Sequence, residues 1–360
     1  MPPGFENYRL RNRGPDYTSF VEKDNECLKD LRVTDPRHDK DRIEQTKGGL
    51  LVDSYRWVLD NADFRRWRGD RHTRLLWIKG DPGKGKTMLL CGIINELNST
   101  FDPSLLSFFF CQAADASINN ATAVLRGLIY LLVDQQPSLI SHVQKKYDAT
   151  GHPFFRDVNA WVTFSEIFTG ILEDPSLPRT CLIIDALDEC TTGLDQLLDL
   201  MVRTSSAYSS VKWVVSSRNW PSIEKHLDTV TQKVNLRLEL NEEPVSAAIT
   251  IYVRSKVEGL AKRNKYSNDT RDAVERYLSA NAHGTFLWVA LLTAFPPGLD
   301  ALYRRMMDQI CDCEDAALCK DILAVVSVVY RPITLDELTA LVDSLDGVSG
   351  DHESLAEIAL

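Results

Sequence analysis

The chain has no uncharged, mostly apolar run long enough to cross a bilayer. The longest, TFLWVALLTAF at 285–295, has eleven residues, where a spanning helix needs about 20. It reads as a buried helix, and no membrane partner is expected. The first residues, MPPGFENYRLRNRG, carry no apolar core of the kind that marks a secretory leader. Cysteine is sparse and scattered, eight in 360 residues, so no disulfide framework is expected. Cys311, Cys313 and Cys319 lie close together in CDCEDAALC. A C-x-C without a second paired element makes a poor metal site, and these read as partly buried thiols on a helix. Reduced thiols suit an intracellular, cytoplasmic protein. Basic residues are outnumbered 41 to 51, for a net charge of -10, which argues against a nucleic-acid surface. No internal repeat is visible.

What is present is ordinary globular composition, 44% hydrophobic and 26% charged, in a chain long enough for two or three domains. Charge is uneven. Residues 1–90 hold 19 basic and 15 acidic residues, a net of +4, and the remainder a net of -14. A basic front end suits a polyphosphate ligand, although such charge is more often solvated surface.

Residues 1–30 are polar and broken by Asn12-Arg13-Gly14-Pro15, with a short helix expected near 20–31. Residues 31–73 form a helical lead-in, in which Leu50, Leu51, Tyr55, Val58 and Leu59 recur at helical spacing and predict an amphipathic helix over 49–61. From Arg74 short apolar runs predict strands at 75–79, 105–111, 180–185, 212–216 and 233–238. Helical patterns lie between them at 87–97, 120–133, 160–172, 194–203 and 222–227. This alternation predicts an α/β fold over 74–240, a five-stranded, mainly parallel sheet with helices on both faces. Strands then stop. Helices are expected at 245–260, 269–280, 286–292, 299–310, 316–329 and 335–342, an all-helical region after the α/β core.

Between the first strand and its helix stands Gly80-Asp81-Pro82-Gly83-Lys84-Gly85-Lys86-Thr87. This is G-x-x-x-x-G-K-[ST] in the strand–loop–helix setting that a phosphate-binding P-loop requires. Its glycines allow a backbone that turns successive N–H groups onto an anion, and the helix start adds its positive dipole end. Lys86 supplies an ammonium for the β- and γ-phosphates, and the Thr87 hydroxyl is a hard ligand for Mg²⁺. Lys84 reads as solvent-exposed. A P-loop calls for an acid ending an apolar strand, and Cys181-Leu182-Ile183-Ile184-Asp185 provides it, with Asp185 ending a central strand beside the P-loop. Asp188 and Glu189 follow, and either is able to orient a water for attack on the γ-phosphate. Arg218, at the tip of the next strand, has the reach for a charge-assisted contact to the same phosphate.

The DALDE of 185–189, the SSR of 216–218 and the lead-in DPRHDKDRIEQTKGGLLVDSYRWVLDN together resemble fungal NACHT proteins. These belong to the STAND class of signalling NTPases, and the nephrocystin-like P-loop domain is similar over the same region. AHGTFLWVALL and FPPGLDALYRRMM resemble segments that follow the NTPase core in that family, and YRPITLDELTALVD the start of its winged-helix region. The resemblance runs from about Cys27 onward. It implies a NACHT core at 74–240, a helical domain at 241–298 and a partial winged helix at 299–360. It assigns Lys86 and Thr87 to phosphate and Mg²⁺, Asp185 to Mg²⁺, Asp188 and Glu189 to hydrolysis, and Arg218 to sensing the γ-phosphate. It also implies a slow ATPase (ATP or ADP as the nucleotide, GTP an open alternative) that works as a nucleotide-dependent, self-associating switch in heterokaryon incompatibility or related cell death. Ala186 stands where many such proteins have Gly. Residues 1–26 are too few for an effector domain, no sensor repeats follow, and FLWVALL runs almost straight into TAFPPGL, so the chain looks shortened against that pattern. Two other function classes remain in view, a constitutive NTPase or phosphotransferase and a truncated interaction fragment. A kinase lid is usually rich in arginine, and 112–179 holds only Arg126, Arg156 and Arg179.

Overall fold

A computed structural model of the protein describes residues 17–99, 104–150, 159–230, 232–282 and 284–294, with Cys319, Lys320 and Ile322 in helix. The chain divides into two units, Met1–Ala290 and Leu291–Leu360. The first unit opens with helices α1 (Tyr17–Leu31), α2 (Pro36–Thr46), α3 (Val52–Asp60) and α4 (Ala62–Gly69). Then come β1 (Leu75–Lys79), α5 (Lys86–Ser99), β2 (Ser104–Phe110), α6 (Ala121–Gln135), α7 (Ile140–Thr150), α8 (Ala160–Leu172) and β3 (Arg179–Asp185). These are followed by α9 (Leu194–Ala207), β4 (Val211–Ser217), α10 (Pro221–Leu227) and β5 (Lys233–Arg237). Helices α11 (Glu242–Asn264), α12 (Asn268–Asn281) and α13 (Phe286–Ala294) complete the described elements, α13 crossing the unit boundary.

The five strands form one sheet in the order β2-β3-β4-β1-β5, and every pairing is parallel. A parallel strand must be covered on both faces, and β1 is buried at all five residues. Trp77 and Trp213 are wholly buried on neighbouring strands, and each large apolar side chain removed from water stabilises the fold by roughly 1.5–3 kcal/mol. The expected strands are all present, with ends displaced by a residue. The order carries a correction. The strand ending in Asp185 is central, but it does not adjoin the P-loop strand, because β4 lies between them. Ser216, Ser217 and Arg218 therefore stand between P-loop and acid.

Local chemistry sets the helix starts. Asp35 caps α2, accepting Arg37 N–H at 3.1 Å, with Pro36 at the first turn. Asn61 caps α4 and Asn120 caps α6 in the same way. The helix expected over 49–61 begins only at Val52, because Gly48 and Gly49 take left-handed conformations and turn the chain first. Helices α2 and α4 fall within the expected helical lead-in but were not placed individually, and α7 had no counterpart in the sequence reading. In α2 only Pro36 and Lys40 are buried, and in α4 only Phe64 and Trp67, so neither shows an apolar stripe. The lead-in reaches the core through α4, which packs on β5 and β1, through α2 on β2, and through α3 on α5. The Tyr55 ring of α3 lies on Gly92 of α5 so closely that a Cβ there would sit 2.3 Å from the ring. Helix α11 packs on α3 from outside. The helices expected at 299–310 and 335–342 and the Cys311–Cys313 pair lie outside the described residues; of the helix expected at 316–329 and the winged-helix region only Cys319, Lys320 and Ile322 are described, and they are helical.

Candidate functional site

Strand β1 delivers Gly80 to the C-terminal end of the sheet, and α5 starts at Lys86. Between them Gly83 (φ 77°) and Gly85 (φ 82°) adopt the left-handed conformation that side chains disfavour. The Lys86 ammonium folds back on its own loop, donating to Gly80 O at 2.5 Å and Asp81 O at 3.1 Å. Burial pulls its pKa down, opposed by the negative charges of Asp188 and Asp185. The loop is anchored from two sides. Asp81 N–H donates to Glu239 Oε1 at 2.6 Å, and Asp81 Oδ1 accepts from Asn219 Nδ2 at 3.1 Å.

Asp185 ends β3 and is buried. Ser216 on β4 links it to the turn that follows, donating from Oγ to Asp185 Oδ1 at 2.5 Å while accepting Ala186 N–H at 2.9 Å. The Thr87 hydroxyl also hydrogen-bonds the carboxylate. Burial nevertheless outweighs both bonds and pushes Asp185 up to about 6. Ala186 sits in the left-handed region at φ 54°, a strained position for a residue with a Cβ. That bend leads into a short 3-10 turn, Leu187–Glu189.

The turn separates the two remaining acids. Asp188 is buried, accepting Arg218 N–H at 2.9 Å and forming an ion pair with Arg218 Nε at 3.1 Å. Glu189 is half-buried and accepts Ala113 N–H at 3.1 Å. Arg218 thus lies against Asp188, with its side chain 30% exposed.

A cavity of about 360 Å³ joins these parts. Its lining includes Pro82 to Thr87, Asp185, Asp188, Glu189 and Arg218, together with apolar and aromatic walls from α3, α11 and α13. The expectation that Lys84 is solvent-exposed needs correcting: its ammonium donates to Gly284 O at 2.9 Å and is partly buried. Beside it Phe286 N–H donates to Gly83 O at 2.8 Å, and the Phe286 and Leu287 side chains press on Gly85 and Gly83. The P-loop is therefore bonded directly to the start of α13. The roles of Ser216, Asn219 and Glu239 were not legible beforehand. Ser216 lay in the quoted SSR without an assigned part, and nothing in the sequence singles out Glu239.

A strand, a glycine loop and a helix, with an acid strand two places away in a parallel sheet, define a P-loop NTPase fold. The likeness to NACHT-domain P-loop proteins read from the sequence is supported by two matches. Residues 53–218 match the family "Nephrocystin 3, N-terminal", a span that holds the P-loop, Asp185, Asp188, Glu189 and Arg218. Over 356 residues, 94% of the chain, it is 57% identical to "Vegetative incompatibility protein HET-E-1" of Podospora anserina. The chain spans 26% of that relative's length. Among solved structures, C. elegans PCH-2 is similar over 74% of this chain and 69% of its own at 14% identity, with a TM-score of 0.35. Drosophila ORC bound to DNA is similar over 92% of this chain and 82% of its own at 12% identity, with a TM-score of 0.29. Both likenesses are too distant to bear on function. No helix among the described residues is long and apolar enough to cross a membrane.

The residues present fit a magnesium nucleotide. Two hard oxygens, from Thr87 and Asp185, meet at one point beside Lys86, and a buried carboxylate raised to about 6 is one that a cation would relieve. No cluster of three or more His, Cys, Asp or Glu among the described residues forms a closed metal cage. An ion held there would draw the rest of its shell from phosphate and water, as Mg²⁺ does.

Proposed function

We propose that the chain is a nucleotide-operated switch module, cytoplasmic, which binds a magnesium nucleoside triphosphate and hydrolyses it slowly in a pathway of vegetative incompatibility. The observation that carries the switch reading is the pair of bonds from the P-loop to the start of α13, Lys84 Nζ to Gly284 O and Phe286 N–H to Gly83 O. A phosphate that reorganises the loop acts on the helical region without an intermediary. A ligand shifts such an equilibrium only by its different affinity for the two arrangements.

In this reading the P-loop amides and Lys86 hold the phosphates. Thr87 and Asp185 hold Mg²⁺, which when bound supplies charge neutralisation at the β- and γ-phosphates. Glu189 orients the attacking water. The buried Asp188 holds Arg218 by its main-chain and side-chain nitrogens, which leaves Glu189 the freer base. Arg218 reads the γ-phosphate through the guanidinium nitrogens that Asp188 does not engage. Away from the phosphates the cavity walls include Leu51, Tyr55, Val245 and Tyr252. Among the described residues no carboxylate lines that part of the cavity to accept the paired N–H groups of guanine. The lining suits adenine, and ATP is the assigned nucleotide.

Titration with fluorescent ATP, in competition with GTP, tests the assignment. Lys86→Ala is expected to abolish binding while the α/β core stays folded, and undiminished affinity in a folded variant refutes it. The switch itself is read by comparing hydrodynamic radius and protease sensitivity with ADP and with a non-hydrolysable ATP analogue. Coincident profiles refute switching, and fast turnover with a small phosphoryl acceptor favours a phosphotransferase.

A further inference from the structure

The phosphate loop has a charged partner that the proposed chemistry does not use. Glu239 opens the short 3-10 turn Glu239–Asn241, which carries the chain from β5 into α11. The sheet brings this turn to the loop. Lys79 and Arg237 are paired across β1 and β5, and Leu238 N–H goes on to donate to Lys79 O at 3.0 Å. Asn241 Nδ2 closes the turn by donating to Arg237 O at 2.7 Å. Glu239 is thereby set directly beside Gly80, where an added Cβ would lie 3.1 Å from Glu239 Oε1 and 3.1 Å from the Leu238 side chain. From there its carboxylate accepts Asp81 N–H at 2.6 Å.

Asp81 N–H and Gly80 O belong to one peptide group. Lys86 Nζ donates to that same Gly80 O at 2.5 Å. The peptide bond is trans, so its N–H and C=O point in opposite directions. One peptide is thus gripped by an ammonium at its oxygen and by a carboxylate at its N–H. Both bonds are charge-assisted, a kind roughly twice as strong as neutral ones.

We infer that Glu239 is a positioning residue of the phosphate site, holding the Gly80–Asp81 peptide in the orientation that shapes the loop and so setting the affinity for nucleotide. The inference rests on the reading of the loop as a nucleotide site. In that reading a polyphosphate takes Lys86 for itself. The peptide then loses its cation, and Glu239 is the charged group that keeps it in place. A peptide rotates through ψ of the residue before it and φ of the residue after it. Gly80 leaves the first free, having no Cβ. Asp81, ahead of Pro82, spans a broad extended range in the second. Local sterics do not pin the group, so a partner must. Glu239 does so before any ligand arrives, and order fixed in advance is not lost again on binding. Its negative charge lies at the N–H end of the peptide, opposite the end that Lys86 engages.

The test measures the affinity of the full chain for fluorescent ADP and ATP with magnesium, together with its melting temperature without nucleotide. Glu239→Ala should weaken both nucleotides about tenfold, the lower end for a hydrogen bond to a charged group, with melting close to the parent's. Glu239→Gln keeps a carbonyl for Asp81 N–H and should recover most of the loss. Asn219→Ala removes the 3.1 Å bond to the Asp81 side chain and leaves the peptide held, so it should lose less than Glu239→Ala. In turnover, KM should rise while kcat holds, because the loop grips ground and transition states alike. Parent affinity in a folded Glu239→Ala chain overturns the inference. A glutamine variant as weak as the alanine variant also overturns it, as does an Asn219→Ala loss of equal size. Should the alanine variant misfold, Glu239→Met keeps the stem, drops the acceptor and is decided by the same affinities. A parent that binds neither nucleotide refutes the nucleotide reading and this inference with it. A parent that binds no better than Glu239→Ala refutes the part of Glu239 alone.

Discussion

Asp188→Asn separates an ion pair from a shape. The side chain keeps its size, and its remaining carbonyl is still able to accept Arg218 N–H, now 2.9 Å from Asp188 Oδ1. The second oxygen becomes an NH₂ facing Arg218 Nε, presently 3.1 Å away, so a donor meets a donor. Breaking a fully buried pair costs about 3–5 kcal/mol. Asp188 is 3% exposed but Arg218 is 30% exposed, so water recovers part of the guanidinium's solvation. We expect a destabilisation of about 1–3 kcal/mol. For a unit of this size each kcal/mol lowers the melting temperature by about 2–4 °C, and the variant should melt about 2–12 °C lower. Arg218→Ala alone leaves Asp188 as a buried charge with one partner fewer, so it should cost a similar amount. The two changes together should cost less than their sum, since the second removes a group that the first had already stranded. Thermal melts of the parent, both single variants and the double variant form a cycle whose interaction free energy should exceed about 0.5 kcal/mol. Additive melts would mean that the contact is incidental and that Arg218 is not held by Asp188.

Three further outcomes are expected. Glu189→Gln should slow ATP hydrolysis by roughly two to four orders of magnitude, the range for lost general-base help, with binding retained; equal single-turnover rates would move the role elsewhere. Gly92→Ala places a methyl 2.3 Å from the Tyr55 ring, an overpacking worth about 1–3 kcal/mol. It should lower both the melting temperature and nucleotide affinity, since α5 carries Lys86 and Thr87, and Tyr55→Leu in the same chain should recover part of the loss. Asp174 is held down to about 2 by its hydrogen bonds with His142 and then Ser176. Its folded pKa lies below the usual 3.8, so the stability it contributes is present above about pH 4 and is lost as pH falls toward 2. His142→Ala should flatten that part of the acid-unfolding curve, and an unchanged curve would show that the pair contributes nothing.

The sequence by itself determined those features whose causes lie within a few residues. The P-loop is one, because three glycines, a lysine and a threonine between an apolar run and a helix dictate their own backbone. The strands are others, since continuous apolar runs such as Leu75–Lys79 have few ways to be buried. The identity of Asp185 as the strand-ending acid follows from the same local pattern. The bounds of polar helices were not legible, since α2 buries almost no apolar surface and has no stripe to read. Strand order was not legible either, because parallel pairing is chosen by the whole sheet and no local signal places β4 between β1 and β3. Only that placement brings Ser216 onto Asp185, 31 residues away, and Arg218 onto Asp188, 30 residues away. The bond from Lys84 to Gly284 spans 200 residues, and it exists because α11 packs on α3 and returns the chain to the mouth of the cavity. The sequence determined the loop that is proposed to hold a phosphate, and the tertiary structure decided which helix that loop is bonded to.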